Sequence, residues 1–415
     1  MARICLITTG QPSSNPRVVK EADALADAGH HVRVISAYWA DWADAADRRW
    51  VGTRPWSCEY VGGHPRSQRP GYLRTRLRHG ISKFAVRHLR SSILIDALAH
   101  RALSRTTPEL ISAACRKKAD LYIAHNLGAL PAAVIAARNY AAVAGFDAED
   151  LHGQERSSTN AECAEERINR QVEERLIGQC RYLSASTPEI SDAYAARYGF
   201  EPPLSLLNVF PLRQQPAHRI GKKSESLRLY WFSQTIGRHR GLEDVVRAMG
   251  RNNANGYELH LQGVWQPGYQ EFICKLASEC GVRKEAIVSH GPGLPDDMPR
   301  LASEFDVGLS LEQPLSENRN LCLSNKIFTY LLAGNAIVAT NTVAQSRLAK
   351  SISEAVKVYP PGDIDGLASI LDMWRNDRAS LEKFRLNAWR AGHEQYNWDS
   401  EKKKFLERIG SILLH

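Results

Sequence analysis

Much that would assign this 415-residue sequence to a familiar class is missing from it. No apolar run approaches the ~18 residues that a membrane-spanning helix needs. The eight cysteines stand scattered at positions 5, 58, 115, 163, 180, 274, 280 and 322, with no Cys-x-x-Cys. That spacing argues against a zinc site or a disulfide framework, and it fits a reducing compartment, the cytoplasm. The first ten residues have too short an apolar core for a signal peptide and read as a strand instead. There is no short repeat and no low-complexity tract. Acidic residues are absent from 60–95, which holds eight Lys/Arg (66, 69, 74, 76, 78, 83, 87 and 90) against a net charge of +9 for the whole chain. Most of the positive excess therefore acts in one place.

The hydrophobic content of 43% is that of a soluble globular protein. The length exceeds one ordinary core and predicts two domains of roughly 200 residues each. Strand and helix patterns alternate almost from end to end, which predicts parallel sheets covered by helices. Expected strands are Arg3–Thr8, His31–Ser36, Leu121–Ala124, Val143–Phe146, Tyr182–Ala185 and Ser205–Phe210. A second series follows: Leu227–Phe232, Glu258–Leu261, Ala286–Ser289, Val307–Leu311 and a strand after Gly334. Expected helices include one opened by Asn15-Pro16, with Asn as N-cap and Pro at the first helical position. Others are 129–141, 162–177, 269–280, 364–374 and 380–391. The polar stretch 212–226 reads as a linker. The expected division is an N-terminal domain 1–211 and a C-terminal domain 227–394. A last helix within 395–415 lies far from the second sheet in sequence and is free to pack back on the first domain. Ligands of such doubly wound α/β halves bind at the carboxyl ends of strands.

Several strand ends carry chemistry. The first leads through Gly10 to Arg17, a glycine loop that is neither Gly-x-Gly-x-x-Gly nor a Walker loop. His125 ends a strand, where it is either a structural hydrogen-bonding group or part of a site. Asp147, Glu149, Asp150 and His152 crowd the next strand end. A carboxylate there is suited to take the proton from an attacking hydroxyl; the alternative is a solvated acidic loop capping a helix. In the second half, Gly237-Arg238-His239-Arg240-Gly241 is a basic, glycine-rich loop, and an arginine fork suits phosphate oxygens. Ser324-Asn325-Lys326-Ile327-Phe328-Thr329-Tyr330, closed by Gly334, reads as a loop, a short helix and then a strand. Lys326 falls at the helix start, where free backbone N–H groups favour an anion. Gly291 and Gly293 follow another strand, in a plain turn or facing a base. The single Asp-x-Asp, Asp363-Ile364-Asp365, places Asp363 as a helix N-cap rather than a metal ligand. No other metal-ligand spacing occurs.

The Ser324–Gly334 segment resembles the donor-site segment of family 4 glycosyltransferases of the GT-B fold, which reads Pro-Asn-Lys-hydrophobic-Phe-Glu-Tyr. Ser324 stands for the proline and Thr329 for the glutamate. The paired family glutamate falls on Leu321, with Glu312 and Glu317 as possible substitutes. Arg240-Gly241 matches the family's Lys-Gly, and Asp147 matches its Tyr-Asp-Ala-His-Glu, with Glu149 at the histidine position. The resemblance implies two Rossmann-like domains facing a central cleft and a nucleotide diphosphate sugar, a UDP-sugar, as donor. It implies no cofactor and no metal. Arg238, Arg240, Lys326 and Asn325 would hold the diphosphate. Thr329, Gly291 and Gly293 would hold the nucleotide. Asp147, Glu149 and His125 would serve catalysis, and Gly10 and Arg17 would line the cleft loop. The expected acceptor is a glycan, a lipid-linked molecule or a small molecule. A sugar-nucleotide epimerase or hydrolase of the same fold, or a non-catalytic binding subunit, remains open.

The basic stretch 73–96 places Leu73, Leu77, Ile81, Phe84 and Leu89 at helical spacing among arginines. Two readings are open: an interfacial helix on anionic lipid, at the inner face of the membrane, and a solvated surface helix. No recognisable nucleic-acid module accompanies the charge.

Overall fold

A computed structural model describes residues 1–88, 92–152, 164–218, 226–251 and 256–414. Several expectations fall partly outside them: Leu89 and Arg90, the loop at 153–155, the first two residues of the helix at 162–177, and the linker core at 219–225. The chain divides into two compact units, Met1–Leu206 with Lys402–His415, and Leu207–Glu401.

The first unit holds β1 (Arg3–Thr8), β2 (His31–Ala37), β3 (Ser57–Val61), β4 (Leu121–His125), β5 (Val143–Ala148), β6 (Tyr182–Ala185) and β7 (Leu204–Ser205). Their order is β3-β2-β1-β4-β5-β6-β7, with every neighbour parallel. Continuous apolar runs such as Leu121–Ala124 suit strands covered on both faces, and β4 is buried throughout. The order reverses between β1 and β4, and the loops leaving these strands are tied together. Asn126, at φ +64°, accepts from the Thr9 hydroxyl at 3.0 Å.

The helix Pro16–Asp27 begins as its sequence predicts. The Asn15 side chain accepts from the amides of Arg17 and Val18 at 3.2 and 3.3 Å. Val18, Ala22 and Leu25 form its buried stripe. Arg17 and Glu21, one turn apart, lie on the same buried side.

The second unit holds β8 (Leu227–Ile236), β9 (Tyr257–Trp265), β10 (Ile287–His290), β11 (Val307–Ser310), β12 (Ala336–Thr340) and β13 (Val356–Tyr359). Their order is β10-β9-β8-β11-β12-β13, again all parallel. The reversal here lies between β8 and β11. The helix Asn325–Ala333 buries every residue from Lys326 to Ala333, and Gly334, at φ +77°, closes it. A Cβ on Gly308 of β11 would strike the Tyr330 ring, so this helix seats directly on the sheet. Asp363 caps the helix Ile364–Asn376 by accepting from the Gly366 amide at 2.9 Å.

Three strands depart from expectation. β3 and β13 are sheet edges whose half-polar sequences, Ser-Cys-Glu-Tyr-Val and Val-Lys-Val-Tyr, give no strong apolar run. The strand expected to reach Phe210 stops at Ser205. Beyond it the backbone bonds to the start of the helix Trp398–Leu413: Trp398 N–H donates to the Phe210 carbonyl at 2.8 Å. Glu401 and Asp399 accept from the amides of Leu207 and Leu212 at 3.0 and 2.8 Å. Within the first unit, Phe405 of that helix is fully buried and meets Tyr182 edge-on at 6.1 Å.

Candidate active site

In the second unit the loops after β8 and β11 flank the point where strand order reverses, the usual binding position in such sheets. The two loops touch. A Cβ on Gly241, at φ +73°, would lie 2.9 Å from Leu311 Cβ and 3.1 Å from its carbonyl oxygen. Lys326, in the first turn of its helix, reaches back to this place. Its Nζ donates to Glu312 Oε1 at 2.9 Å and lies 5.6 Å from the centre of the Trp231 ring.

Lys326 and Glu312 are both largely buried, with side-chain exposures of 11% and 13%. Burial alone would raise the Glu312 carboxyl; Lys326, aided by Arg240, overcomes it and holds the group at about 2. Below the loop, Ser310 donates to Gln345 Oε1 at 2.5 Å, and Gln345 donates to the Thr340 hydroxyl at 2.9 Å. Thr340 in turn donates to the Glu312 carbonyl at 2.5 Å. This buried chain fixes the Glu312 backbone, and the Glu312 carboxylate holds the lysine.

The structure sorts the residues expected here. Arg240 acts electrostatically on the same carboxylate that Lys326 holds. Asn325 stands half-buried at the first helical position. Arg238 departs from expectation: after His239, at φ +61°, the chain turns, and the Arg238 guanidinium sits 4.6 Å from the centre of the Phe272 ring. Thr329 also departs. It is fully buried, and its hydroxyl donates to the Asn325 carbonyl at 2.9 Å within its own helix, so it offers nothing to a ribose. Gly293 has a packing reason, because a Cβ would collide with Met298 and Gln262; Gly291 has open space around it. Of the two possible substitutes for the missing glutamates, Glu312 lies in the site. Glu317 is exposed in the first turn of the short helix Glu317–Leu321.

In the first unit, strand register builds a row: Thr8 beside His125, His125 beside Asp147, Asp147 beside Ser184. Arg17 clamps Asp147 with two hydrogen bonds of 2.7 Å and donates a third, also 2.7 Å, to the Leu206 carbonyl. Ser184 adds one at 2.7 Å. His125 stands between Glu21 at 3.1 Å and Asp147 at 3.2 Å. Burial alone would raise the Asp147 carboxyl, but Arg17 and then His125 hold it well below the usual range. Burial alone would lower the His125 imidazolium; Glu21, then Asp147 and Glu149, raise it well above its ordinary value. Burial pushes the Glu21 carboxyl up despite His125.

This corrects the catalytic assignment of Asp147 and His125 and the cleft assignment of Arg17. All three are buried in one charge network, and a clamped, strongly acidic carboxyl is a poor proton acceptor. Glu21, His125 and Asp147 have ligand atoms within 4.8 Å of one another. Arg17 already occupies Asp147, however, and the charged imidazole repels a cation, so the set does not fit a metal. Glu149 is different. Its side chain is 26% exposed, accepts from Asn15 Nδ2 at 2.6 Å and lies 3.7 Å from His125 Nδ1. Gly10 packs into its turn, its carbonyl accepting from Ala37 N–H at 3.2 Å. Glu21 went unrecognised in the sequence, although a charged residue among Val18, Ala22 and Leu25 signals a buried partner.

No family model matches the sequence, and no curated protein does. Solved structures do match. Anabaena HepE in complex with UDP aligns with a TM-score of 0.69 at 14% identity, covering 99% of this chain and 100% of that one. Sucrose-phosphate synthase from Thermosynechococcus elongatus gives 0.67 at 14%, covering all of both chains. A glycosyltransferase from Rickettsia africae gives 0.67 at 11%, covering 99% and 98%. At such identities the likeness is one of fold. With parallel sheets of seven and six strands in two Rossmann-like units, the chain has the GT-B fold of these glycosyltransferases.

Proposed function

We propose that this chain transfers a sugar from a nucleoside diphosphate donor to an acceptor hydroxyl. The observation that carries this reading is the buried Lys326–Glu312 pair, with Arg240 beside it, at the strand-order reversal of the second sheet. We assign the donor to this unit. In the reaction the bond from the anomeric carbon to the diphosphate oxygen breaks, and the acceptor oxygen bonds to that carbon. The acceptor proton leaves to a base. Lys326, Arg240 and the amides at the start of the helix Asn325–Ala333 stabilise the charge growing on the diphosphate, usually the largest catalytic contribution. Glu312 keeps the lysine aimed before the donor arrives. We assign the base to Glu149, the partly exposed carboxylate just after β5, with His125 and Asn15 positioning it. HepE has been solved with UDP and with UDP-glucose, which supports a UDP-sugar here.

A second reading, binding without transfer, draws on Thr329, whose hydroxyl is spent on its own helix. Product analysis separates the two: a new glycoside supports transfer, isomerised or hydrolysed donor supports the epimerase or hydrolase alternative, and binding with no product supports a scaffold. Two side-chain cations supply the neutralisation that a divalent ion gives elsewhere, so EDTA is expected to leave turnover unchanged while UDP raises the melting temperature. Strict dependence on added Mg²⁺ or Mn²⁺ contradicts this assignment.

A further inference from the structure

The helix Arg69–His88 is built inside out. The residues it buries are Thr75, Ser82 and Val86. The residues it shows to solvent are Leu73, Leu77, Ile81 and Phe84, exposed by 50, 67, 60 and 66%. At 100° per residue these four fall within an arc of about 80°, directly opposite the buried three. The outward face is therefore the apolar one, the reverse of an ordinary surface helix. A continuous patch formed by Leu73, Leu77, Ile81 and Phe84 around Gly80 is rimmed by Arg74 and Arg76. Isolated exposed apolar side chains need no explanation, but a contiguous patch with a charged border marks a contact surface.

The helix is also anchored as a platform. Arg78 turns away from the patch and forms a fork of 2.7 and 2.6 Å with Glu109, plus a bond of 2.9 Å to the Arg105 carbonyl. The Thr75 hydroxyl accepts from Arg105 Nη1 at 2.7 Å. Arg78 therefore holds the helix in place, and Arg74 and Arg76 are left to form the charged border.

We propose that this face lies on an anionic lipid bilayer, with Leu73, Leu77, Ile81 and Phe84 entering the headgroup–acyl boundary and Arg74 and Arg76 meeting lipid phosphates. Charge complementarity selects this occupant. No acid lies anywhere in 60–95, so a second copy of the helix would meet like charge, whereas a negative lipid surface attracts the border while its interior takes the stripe. No helix among the described residues is long and apolar enough to cross a membrane, which leaves contact in the plane of the surface. The inference rests on the first unit alone and stands or falls apart from the donor site in the second.

The test is flotation of the full chain with phosphatidylcholine vesicles, with and without phosphatidylglycerol. Binding is expected only with phosphatidylglycerol, and it should weaken as salt rises. Arg74→Gln and Arg76→Gln should each weaken it roughly fivefold. The triple variant Leu77→Gln, Ile81→Gln, Phe84→Gln should weaken it at least about tenfold with little change in melting temperature, because these side chains are mostly exposed. The proposal is overturned if the chain ignores anionic vesicles, if the triple variant floats like the native chain, or if only an acidic protein, not lipid, competes for the face. A UDP-induced thermal shift in the same samples reports on the donor site independently.

Discussion

Replacing Lys326 with alanine is expected to lower the rate of sugar transfer on the order of 10²–10³-fold. The reason is positional. The ammonium sits 2.9 Å from the carboxylate of Glu312, whose backbone carbonyl is held by the Ser310–Gln345–Thr340 chain, so it need not reorganise when charge develops on the leaving diphosphate. Alanine also leaves Glu312 buried beside Arg240 without its main partner. Breaking a buried pair from one side costs about 3–5 kcal/mol, so the second unit should unfold at lower denaturant concentration. The two effects separate in the double variant with Glu312→Gln. Removing the orphaned charge should restore much of the stability and none of the rate. Full stability in Lys326→Ala alone, or native turnover, would remove the lysine from this role. The Glu312 contribution has a defined pH sign. Its folded value, about 2, is depressed, so the stabilisation is present above the unfolded carboxylate range, near 4.3, and is lost as pH falls toward 2.

Arg17→Ala is expected to be the most destabilising single change in the first unit, by about 3–5 kcal/mol. It strips three hydrogen bonds of 2.7 Å and leaves the buried Asp147 and Glu21 without their arginine counter-charge. Arg17→Lys should recover part of the loss, because an ammonium keeps the charge and loses the fork. The network also sets an alkaline limit. His125 has a raised folded value; its contribution is complete below the ordinary histidine value, about 6.5, and is lost as pH rises from there. The raised Glu21 carboxyl acts with the same sign. Lys20, pushed down to about 7 chiefly by burial, acts with the opposite sign above that pH, so the fall, up to about 1.4 kcal/mol per pH unit for each proton released, should be clearest between about 6.5 and 7. His125→Gln should flatten that slope while lowering stability at pH 6. A native-like slope in the variant would place the titrating group elsewhere.

The fold was largely legible because the strands that form the centres of both sheets are continuous apolar runs, and those runs alternate with capped helices. Edges were not: β3 and β13 carry half-polar sequences that contribute little to any core, and the segment after Ser205 was claimed by the distant helix start at Trp398. The place of Lys326 and Arg240 near the strand-order reversal was legible for the same local reason, a lysine one step inside a helix and an arginine in a glycine loop. What spacing could not reveal was pairing. Glu312 and Glu317 are equivalent in sequence, and only folding brings one of them to Lys326. Asp147 and His125 look catalytic at their strand ends until Arg17 and Glu21, more than a hundred residues earlier, close over them. Inverted amphipathicity was invisible for a related reason: the spacing shows a stripe, but not that Thr75, Ser82 and Val86 rather than the leucines face inward.

The central claim is that two cationic side chains of the second unit hold a diphosphate. Calorimetric titration of UDP into the native chain and into the Lys326→Ala, Arg240→Ala double variant tests it most directly. The account predicts saturable binding to the native chain, weakened by at least about 100-fold in the double variant, since hydrogen bonds to charged groups contribute about 1.5–3 kcal/mol each. Equal dissociation constants for the two proteins would contradict it.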